Sequence, residues 1–157
     1  MALAVSPRRT PAVNGGYRRI LVPILGGPES DRAVEAACRL AAERRSAVTA
    51  VVVVEVPPAL PLDAWMVDEE LDARRAFDRA ESVADAFGVG LHRRQIRARD
   101  PGAAILDELA AGGFELVVLS APRKTRMRKG AAAFGRTVQH VLKKAPCRVM
   151  VIAPARN

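Results

Sequence analysis

The feature that most constrains the fold is the apolar run Val48-Thr49-Ala50-Val51-Val52-Val53-Val54. β-Branched residues favour a pleated and buried setting, and a run that is apolar on both of its alternating faces is typical of a strand covered on both sides of a parallel sheet. Pro57, Pro58 and Pro61 follow the run and end the strand. A chain with such a strand needs helices on both faces of the sheet.

Strand-like and helix-like patterns alternate along the rest of the chain. Further strands are predicted at 20–25, 91–98, 116–119 and 147–152, and helices begin near Pro28, Asp68, Pro101 and Gly135. Asp100 suits the cap of the third helix, and Pro101 its first position. Right-handed crossovers between successive strands predict an α/β fold: a single doubly wound, Rossmann-like domain with a five-stranded parallel sheet flanked by helices.

The core is expected to centre on the strands 47–54 and 147–152. The last helix has one apolar face, formed by Val138, Val141, Leu142 and Ala145. Cys38 and Cys147 give neither a disulfide framework nor a metal-binding spacing, so both are interpreted as reduced, buried thiols of a cytoplasmic protein. Residues 1–16 lack the apolar centre of a secretory signal and are predicted to be a mobile N-terminal tail, which leaves 17–157 as the folded domain.

The charge is concentrated in the last part of the chain. The net charge is +8, yet residues 116–157 contain ten Lys or Arg and no Asp or Glu, whereas the first 115 residues contain 15 bases and 17 acids. No apolar run approaches the length of a membrane span. The local excess of positive charge indicates an anionic ligand or an acidic partner near the C-terminal third.

One stretch combines this basicity with the position of a phosphate loop. It runs from Leu119 to Thr137, carries five bases between Arg123 and Lys129, and reaches Gly135, where a helix opens. Loops at the carboxyl ends of parallel strands are where open α/β sheets bind phosphorylated ligands. The stretch is therefore a candidate phosphate-binding loop.

From about Tyr17 to Pro154 the sequence resembles the universal stress protein family. The resemblance rests on Arg-Ile-Leu-Val-Pro at 19–23 with the Gly-Pro-Glu-Ser turn after it, on Asp100-Pro101, and on Gly135 to Val151 with its Ala-Pro-Cys before the last strand. It implies a five-stranded parallel sheet, related to that of the adenine nucleotide α-hydrolases, and a homodimer paired through the last strand. Val149, Met150 and Val151 would lie at that dimer interface.

The resemblance also implies two groups of proteins, one of which binds ATP. The members of the ATP-binding group carry an aspartate after the first strand and a Gly-x2-Gly-x9-Gly-Ser/Thr loop. The glycines of this loop let backbone N–H groups approach phosphates. Here Leu25 replaces the aspartate, Ser120 and Arg123 stand at the first two glycines, and Arg136 replaces the hydroxyl residue beside Gly135. The loop is also about two residues longer than in the binders. Pro23 and Val53 match the adenine pocket.

Two functions follow from this comparison of motifs. The first is a non-catalytic stress-response or regulatory dimer with a degenerate nucleotide pocket. The alternative is a protein that binds ATP or another phosphorylated ligand with Arg and Lys side chains in place of the glycine loop. The candidate nucleotide or phosphate residues are Pro23, Ile24, Leu25, Val53, Ser120, Arg123, Lys124, Arg126, Gly130, Gly135, Arg136 and Thr137.

Other functions have less support in the sequence. A basic loop with no small ligand would meet an acidic protein or a membrane surface, while nucleic acid is disfavoured because Phe134 is the only aromatic residue near the bases. An enzyme is disfavoured because neither His92 nor His140 lies at a recognisable spacing from a nucleophile, so both are interpreted as surface histidines. No cofactor is certain and ATP is the possible one; no metal site is predicted.

Overall fold

Four helices alternate with five strands in the computed structural model, which describes residues 17–121 and 135–153. In chain order the elements are β1 Arg19–Pro23, α1 Pro28–Arg44, β2 Ala47–Glu55, α2 Val67–Ala86, β3 Leu91–Ala98, α3 Pro101–Gly112, β4 Leu116–Ser120, α4 Arg136–Lys144 and β5 Arg148–Ile152. The predicted tail at 1–16 lies outside the described residues. The alternation confirms the predicted order of strands and helices.

The five strands form one parallel sheet in the order β3-β2-β1-β4-β5. The chain first moves outward from β1 through β2 to β3, and then returns to the other side of β1 for β4 and β5. The direction of winding therefore changes between β1 and β4. This is the doubly wound α/β arrangement that the sequence predicts, and a crevice at such a switch point is the usual ligand position of the fold.

Two cores lie on opposite faces of the sheet. One packs β1, β2 and β4 against α1 and α2 through residues such as Val22, Val34 and Phe77. The other packs Leu21, Val51 and Leu119 against α3 and α4. Each strand contributes side chains to both cores because successive side chains point to opposite faces of the sheet.

The central strands are more deeply buried than the C-terminal one. All five residues of β4 are buried, whereas β5 lies at the edge of the sheet with four half-buried residues. The prediction that 147–152 is a core strand is therefore wrong, because a single strand neighbour covers β5 from only one side. Strand 47–54 is central and contributes Val48, Val51 and Val54 to the core, as expected.

Two side chains also differ from their predicted environments. Leu142 was expected on the apolar face of α4, yet it is 45% exposed, and only Val138 and Val141 of this helix are buried. Cys38 is buried as predicted, and burial raises the pKa of its thiol to about 11. Cys147 is only half-buried; burial also raises the pKa of its thiol, opposed by a hydrogen bond to the backbone of Val117.

Candidate functional site

A cleft of about 510 Å³ opens between the N-terminal ends of α3 and α4. It lies where β2 and β3 end, on the side of the sheet that carries these two helices. Its lining is polar and mixed in charge. The residues that line this α3–α4 cleft are Glu55, Arg99, Asp100, Pro101, Gly102, Arg136, Thr137 and His140.

The start of α3 is closed by a side chain. The carboxylate of Asp100 accepts a hydrogen bond from the N–H of Ala103 at 3.2 Å, and Pro101 occupies the first helical position. Both residues perform the role that the sequence predicts for them. The carboxylate also offsets the positive end of the helix dipole, so this helix end has little left to offer an anion.

The start of α4 is open by comparison. Gly135 is the N-cap, with φ 79° and ψ 159°, and no side chain of residues 17–121 or 135–153 caps the helix. The first turn holds Arg136 and Thr137 and no acidic residue. The first N–H groups of a helix have no partner within the helix, and those of this turn bind no other described residue, so they are suited to an anion.

Arg99 and Arg136 differ in what their guanidinium groups already bind. Arg99 donates to the carbonyls of Pro57 at 2.7 Å and Leu60 at 3.0 Å, which ties it to the connection after β2. Arg136 is exposed, and its guanidinium makes no ion pair or hydrogen bond with the part of the chain that the structure describes. Arg136 is therefore the cation of the cleft that can turn towards a ligand.

The cleft is narrow at α3 because a glycine lets the two helices approach. A Cβ atom on Gly102 would lie 2.9 Å from Cδ2 of His140. The sequence predicts a surface histidine at position 140, but His140 is half-buried against α3. The imidazole forms one wall of the cleft, next to Thr137 on the preceding turn.

The structure brings only some of the predicted nucleotide residues to the cleft. Arg136 and Thr137 line it, and Gly135 opens the helix that carries them. Val53 lies on the same face of β2 as Glu55, one pleat below the cleft, and packs against the core under α3 and α4. Pro23 ends β1 and is buried.

Three other predicted residues do not line the cleft. The N–H of Ile24 donates to the carbonyl of Val51 at 2.8 Å, and its side chain packs in the core under α1 and α2. Leu25 is 38% exposed after β1. Ser120 is buried at the end of β4 and, by alternation with Leu119, faces the α1 and α2 side. Arg123, Lys124, Arg126 and Gly130 lie outside the described residues.

Sequence reasoning did not place Glu55, Arg99, Gly102 or His140 at the site. These residues come from four different elements or connections, and only the tertiary fold brings them together. The signal that was available is the position of Glu55 and Arg99, each at or just after the carboxyl end of a predicted strand. Among the described residues there is no group of three or more potential metal ligands, and no helix long and apolar enough to cross a bilayer.

The predicted dimer residues lie on the edge strand β5. Val149, Met150 and Val151 are half-buried, and each pairs with β4 on one side only. Val149 and Val151 pack towards the α3 and α4 core, and Met150 towards the opposite one. The outer backbone edge of β5 is thus without a strand partner in the described part of the chain.

Comparisons with known proteins agree with the motifs and the fold. The model of the universal stress protein family matches residues 16–153. A universal stress protein of Methanocaldococcus jannaschii is 27% identical over 142 residues, which are 87% of this chain and 82% of that protein.

Two solved structures of this family share the fold. A universal stress protein in complex with cAMP superposes with a TM-score of 0.72 at 17% identity, over 88% of this chain and 98% of the other. The universal stress protein of Archaeoglobus fulgidus in complex with dAMP gives 0.69 at 17% identity, over 87% and 98%. Since the family model covers nearly the whole described chain, the protein belongs to the universal stress protein family.

Proposed function

We propose that the chain is a non-catalytic regulatory protein with a degenerate nucleotide pocket, and that the α3–α4 cleft with the start of α4 is what remains of that pocket. In this chain the family's glycines are replaced at Ser120 and Arg123, and Arg136 stands in place of its hydroxyl residue. The observation that carries the proposal is the start of α4, which has no side-chain cap among the described residues and holds Arg136 and Thr137 in its first turn. A helix start of this kind suits an anion, but it supplies fewer backbone donors than a glycine-rich loop.

The non-catalytic part of the proposal rests on the surroundings of His140. Its neighbours in the cleft include Arg136 and Thr137, and its imidazole makes no side-chain hydrogen bond within the described residues. General-base catalysis needs an oriented imidazole beside a nucleophile. Incubation with ATP should release no ADP, AMP or phosphate above the buffer rate. Turnover that His140→Ala removes, with the fold intact, would contradict this part.

A narrower proposal concerns the ligand: ATP, or another adenine nucleotide, binds with its phosphates at the start of α4. Two neighbouring structures contain cAMP and dAMP, and the guanidinium of Arg136 has no partner among the residues that the structure describes. Charge-assisted hydrogen bonds from Arg and backbone N–H groups are the contacts that hold phosphate. Val53 and Pro23 would lie under the base, as in the nucleotide-binding members that the sequence resembles.

Calorimetric titration with ATP at two salt concentrations tests this ligand. Because binding through exposed charge is screened, the affinity should fall when the salt is raised from about 0.05 M to about 0.5 M. Adenosine, which has no phosphate, should bind more weakly than ATP at the lower salt. The absence of saturation at millimolar ATP in both salts would reject nucleotide binding and leave the non-catalytic regulatory proposal standing.

We also propose that residues 17–157 form one domain and that the protein is cytoplasmic. We further propose that two copies form a homodimer through β5. An unpaired strand edge is a template for a second strand, and Val149, Met150 and Val151 lie on it. Sedimentation equilibrium should give twice the mass of one 16.8 kDa chain. A mass equal to one chain at high micromolar concentration would contradict the dimer.

A further inference from the structure

The connection between β2 and α2, together with the start of α2, holds most of the exposed large apolar side chains of the described residues. Five of the seven large apolar side chains that are exposed lie between positions 60 and 71. They are Leu60, Leu62, Trp65, Val67 and Leu71. Trp65, the only tryptophan of the chain, is 93% exposed. Single exposed apolar residues are ordinary, but a cluster of this kind marks an interaction surface.

The exposure does not come from a loose loop. Arg97 donates to the carbonyl of Ala64 at 2.7 and 2.9 Å and to the carboxylate of Glu70 at 2.7 Å. Arg99 holds the carbonyls of Pro57 and Leu60. Together the two arginines fix the backbone of the connection at both of its ends. An apolar surface that is fixed in advance loses little conformational freedom when a partner covers it.

The inner side of the same segment has its own small core. Met66 is buried and packs with Val54, Val56 and Ala73. Its neighbour Trp65 points outward, although burying a tryptophan would contribute more to folding than burying a methionine of smaller area. The fold therefore uses Met66 as the anchor and leaves the largest aromatic side chain of the segment outside.

The charge around these apolar side chains is negative. Residues 57–73 contain five acids and no Lys or Arg, in a protein whose net charge is +8. Glu70 pairs with Arg97, and Asp72 lies 3.7 Å from Arg75. Asp63, Asp68 and Glu69 pair with no described residue. An apolar cluster beside free carboxylates is complementary to a partner with apolar and basic side chains.

We propose that segment 57–71 is a docking surface for a basic amphipathic segment of another protein. The apolar face of the partner covers Trp65 and the leucines, and its Lys or Arg side chains lie beside Asp63, Asp68 and Glu69. The negative charge of this surface argues against two other occupants, a second copy of the chain and an anionic membrane. A second copy placed with the same segment inward would bring like charges together, and an anionic membrane would repel the carboxylates.

Trp65 provides a direct measurement, because its fluorescence is the only tryptophan signal of the protein. The probe is an amphipathic leucine–lysine peptide of about 18 residues, long enough to form a helix and free of tryptophan. Its matched controls are a leucine–glutamate peptide and a leucine–lysine peptide with a scrambled order. Titration with the probe should shift the Trp65 emission to shorter wavelength and saturate. An equal response to the leucine–glutamate peptide, or no response to the probe, would overturn the proposal.

Two variants locate the binding surface. With a fluorescein-labelled probe, anisotropy should show a dissociation constant about tenfold higher for Trp65→Ala, as expected for an exposed aromatic anchor. The triple variant Asp63→Asn, Asp68→Asn and Glu69→Gln should bind the probe more weakly, and its dissociation constant should no longer depend on the salt concentration. Leu142→Ala removes an exposed apolar side chain from α4 and should bind like the wild type. All three variants change exposed side chains, but Asp68 and Glu69 lie in the first turn of α2, so the triple variant should lose a little stability. The folding check is therefore a native circular dichroism spectrum with cooperative thermal unfolding.

The remaining outcomes assign the surface to something else. An emission shift with phosphatidylglycerol vesicles but not with the probe would assign it to a membrane. An emission shift that grows with protein concentration alone, together with a dimer mass that Trp65→Ala abolishes, would assign it to a second copy. Either result overturns the proposal.

Discussion

The starts of α3 and α4 face the same cleft but are built in different ways. At α3 the carboxylate of Asp100 accepts the N–H of Ala103, so a side chain of the protein already occupies the helix end. At α4 the cap is Gly135, and the first turn carries Arg136 in place of an acid. A helix start is therefore suited to an anion only where no side chain of the protein already occupies it.

The start of α1 resembles that of α4 in its backbone but not in its charge. Gly27 caps α1 with φ 77° and ψ 170°, almost the conformation of Gly135. However, Glu29 and Asp31 lie in the first turn of α1, and their charge satisfies the helix dipole. The same glycine conformation therefore begins one helix whose first turn is acidic and another whose first turn carries a base. Among the helices of the described ranges, only α4 combines a glycine cap with a first turn that is free of acids and carries a base.

The largest effect is expected from Gly135→Ala. The conformation of Gly135 lies in a region that only glycine adopts easily, so a side chain there costs about 1 to 3 kcal/mol of stability. Gly27→Ala should lower the free energy of unfolding similarly, and urea denaturation measures both. Only Gly135→Ala should also weaken ATP binding. Gly90→Ala is the control, because its Cβ would meet nothing within 4 Å. Equal loss of ATP affinity in the Gly27 and Gly135 variants would contradict the claim that only the start of α4 holds the phosphates.

Arg136→Gln should have the next largest effect, on affinity rather than on stability. The change removes a charge-assisted hydrogen bond, so calorimetry at low salt should show ATP affinity reduced by roughly tenfold. The difference from the wild type should shrink at high salt, where the charge is screened. Arg39→Gln is the control, since Arg39 is an exposed base of α1 paired with Glu35. Unchanged affinity in Arg136→Gln would remove this side chain from the site.

Asp100→Asn should have the smallest effect, and in the opposite direction. Asparagine keeps the cap of α3 while the negative charge beside the cleft disappears. ATP affinity should therefore rise by about twofold to fivefold, with little change in stability. Asp100→Ala should raise affinity as well, but it should also cost about 0.5 to 2 kcal/mol of stability because the cap is lost. A fall in affinity in both variants would show that Asp100 contacts the ligand.

The elements that could be predicted from the sequence are those with local signals. Asp100 and Pro101 mark the start of α3 because capping depends on neighbouring residues alone. The β-branched run at 48–54 marks a central strand for the same reason, since its composition matches burial on both faces. Gly135 was placed correctly as the opening of α4, because a glycine at a helix start has a local conformational cause.

What the sequence could not supply depends on long-range neighbours. The apolar composition of 147–152 does not show that β5 has a strand on one side only. Leu142 fits the helical spacing, but α4 turns that position outward. His140 gave no sign that it packs against Gly102, because the two residues lie 38 positions apart and meet only in the folded cleft. Sequence reasoning therefore singled out residues on the α4 side of the candidate cleft and none on its α3 side.

The most direct measurement is a titration of the ¹⁵N-labelled protein with ATP, followed by the backbone amide signals of the helix starts. If α4 holds the phosphates, the amides of Arg136, Thr137 and Val138 should shift progressively and saturate. Those of Ser30 in α1 and Ala103 in α3 should stay nearly constant. Saturating shifts at Ser30 or Ala103, with none at Arg136 to Val138, would contradict the claim that α4 is the open helix start of this fold.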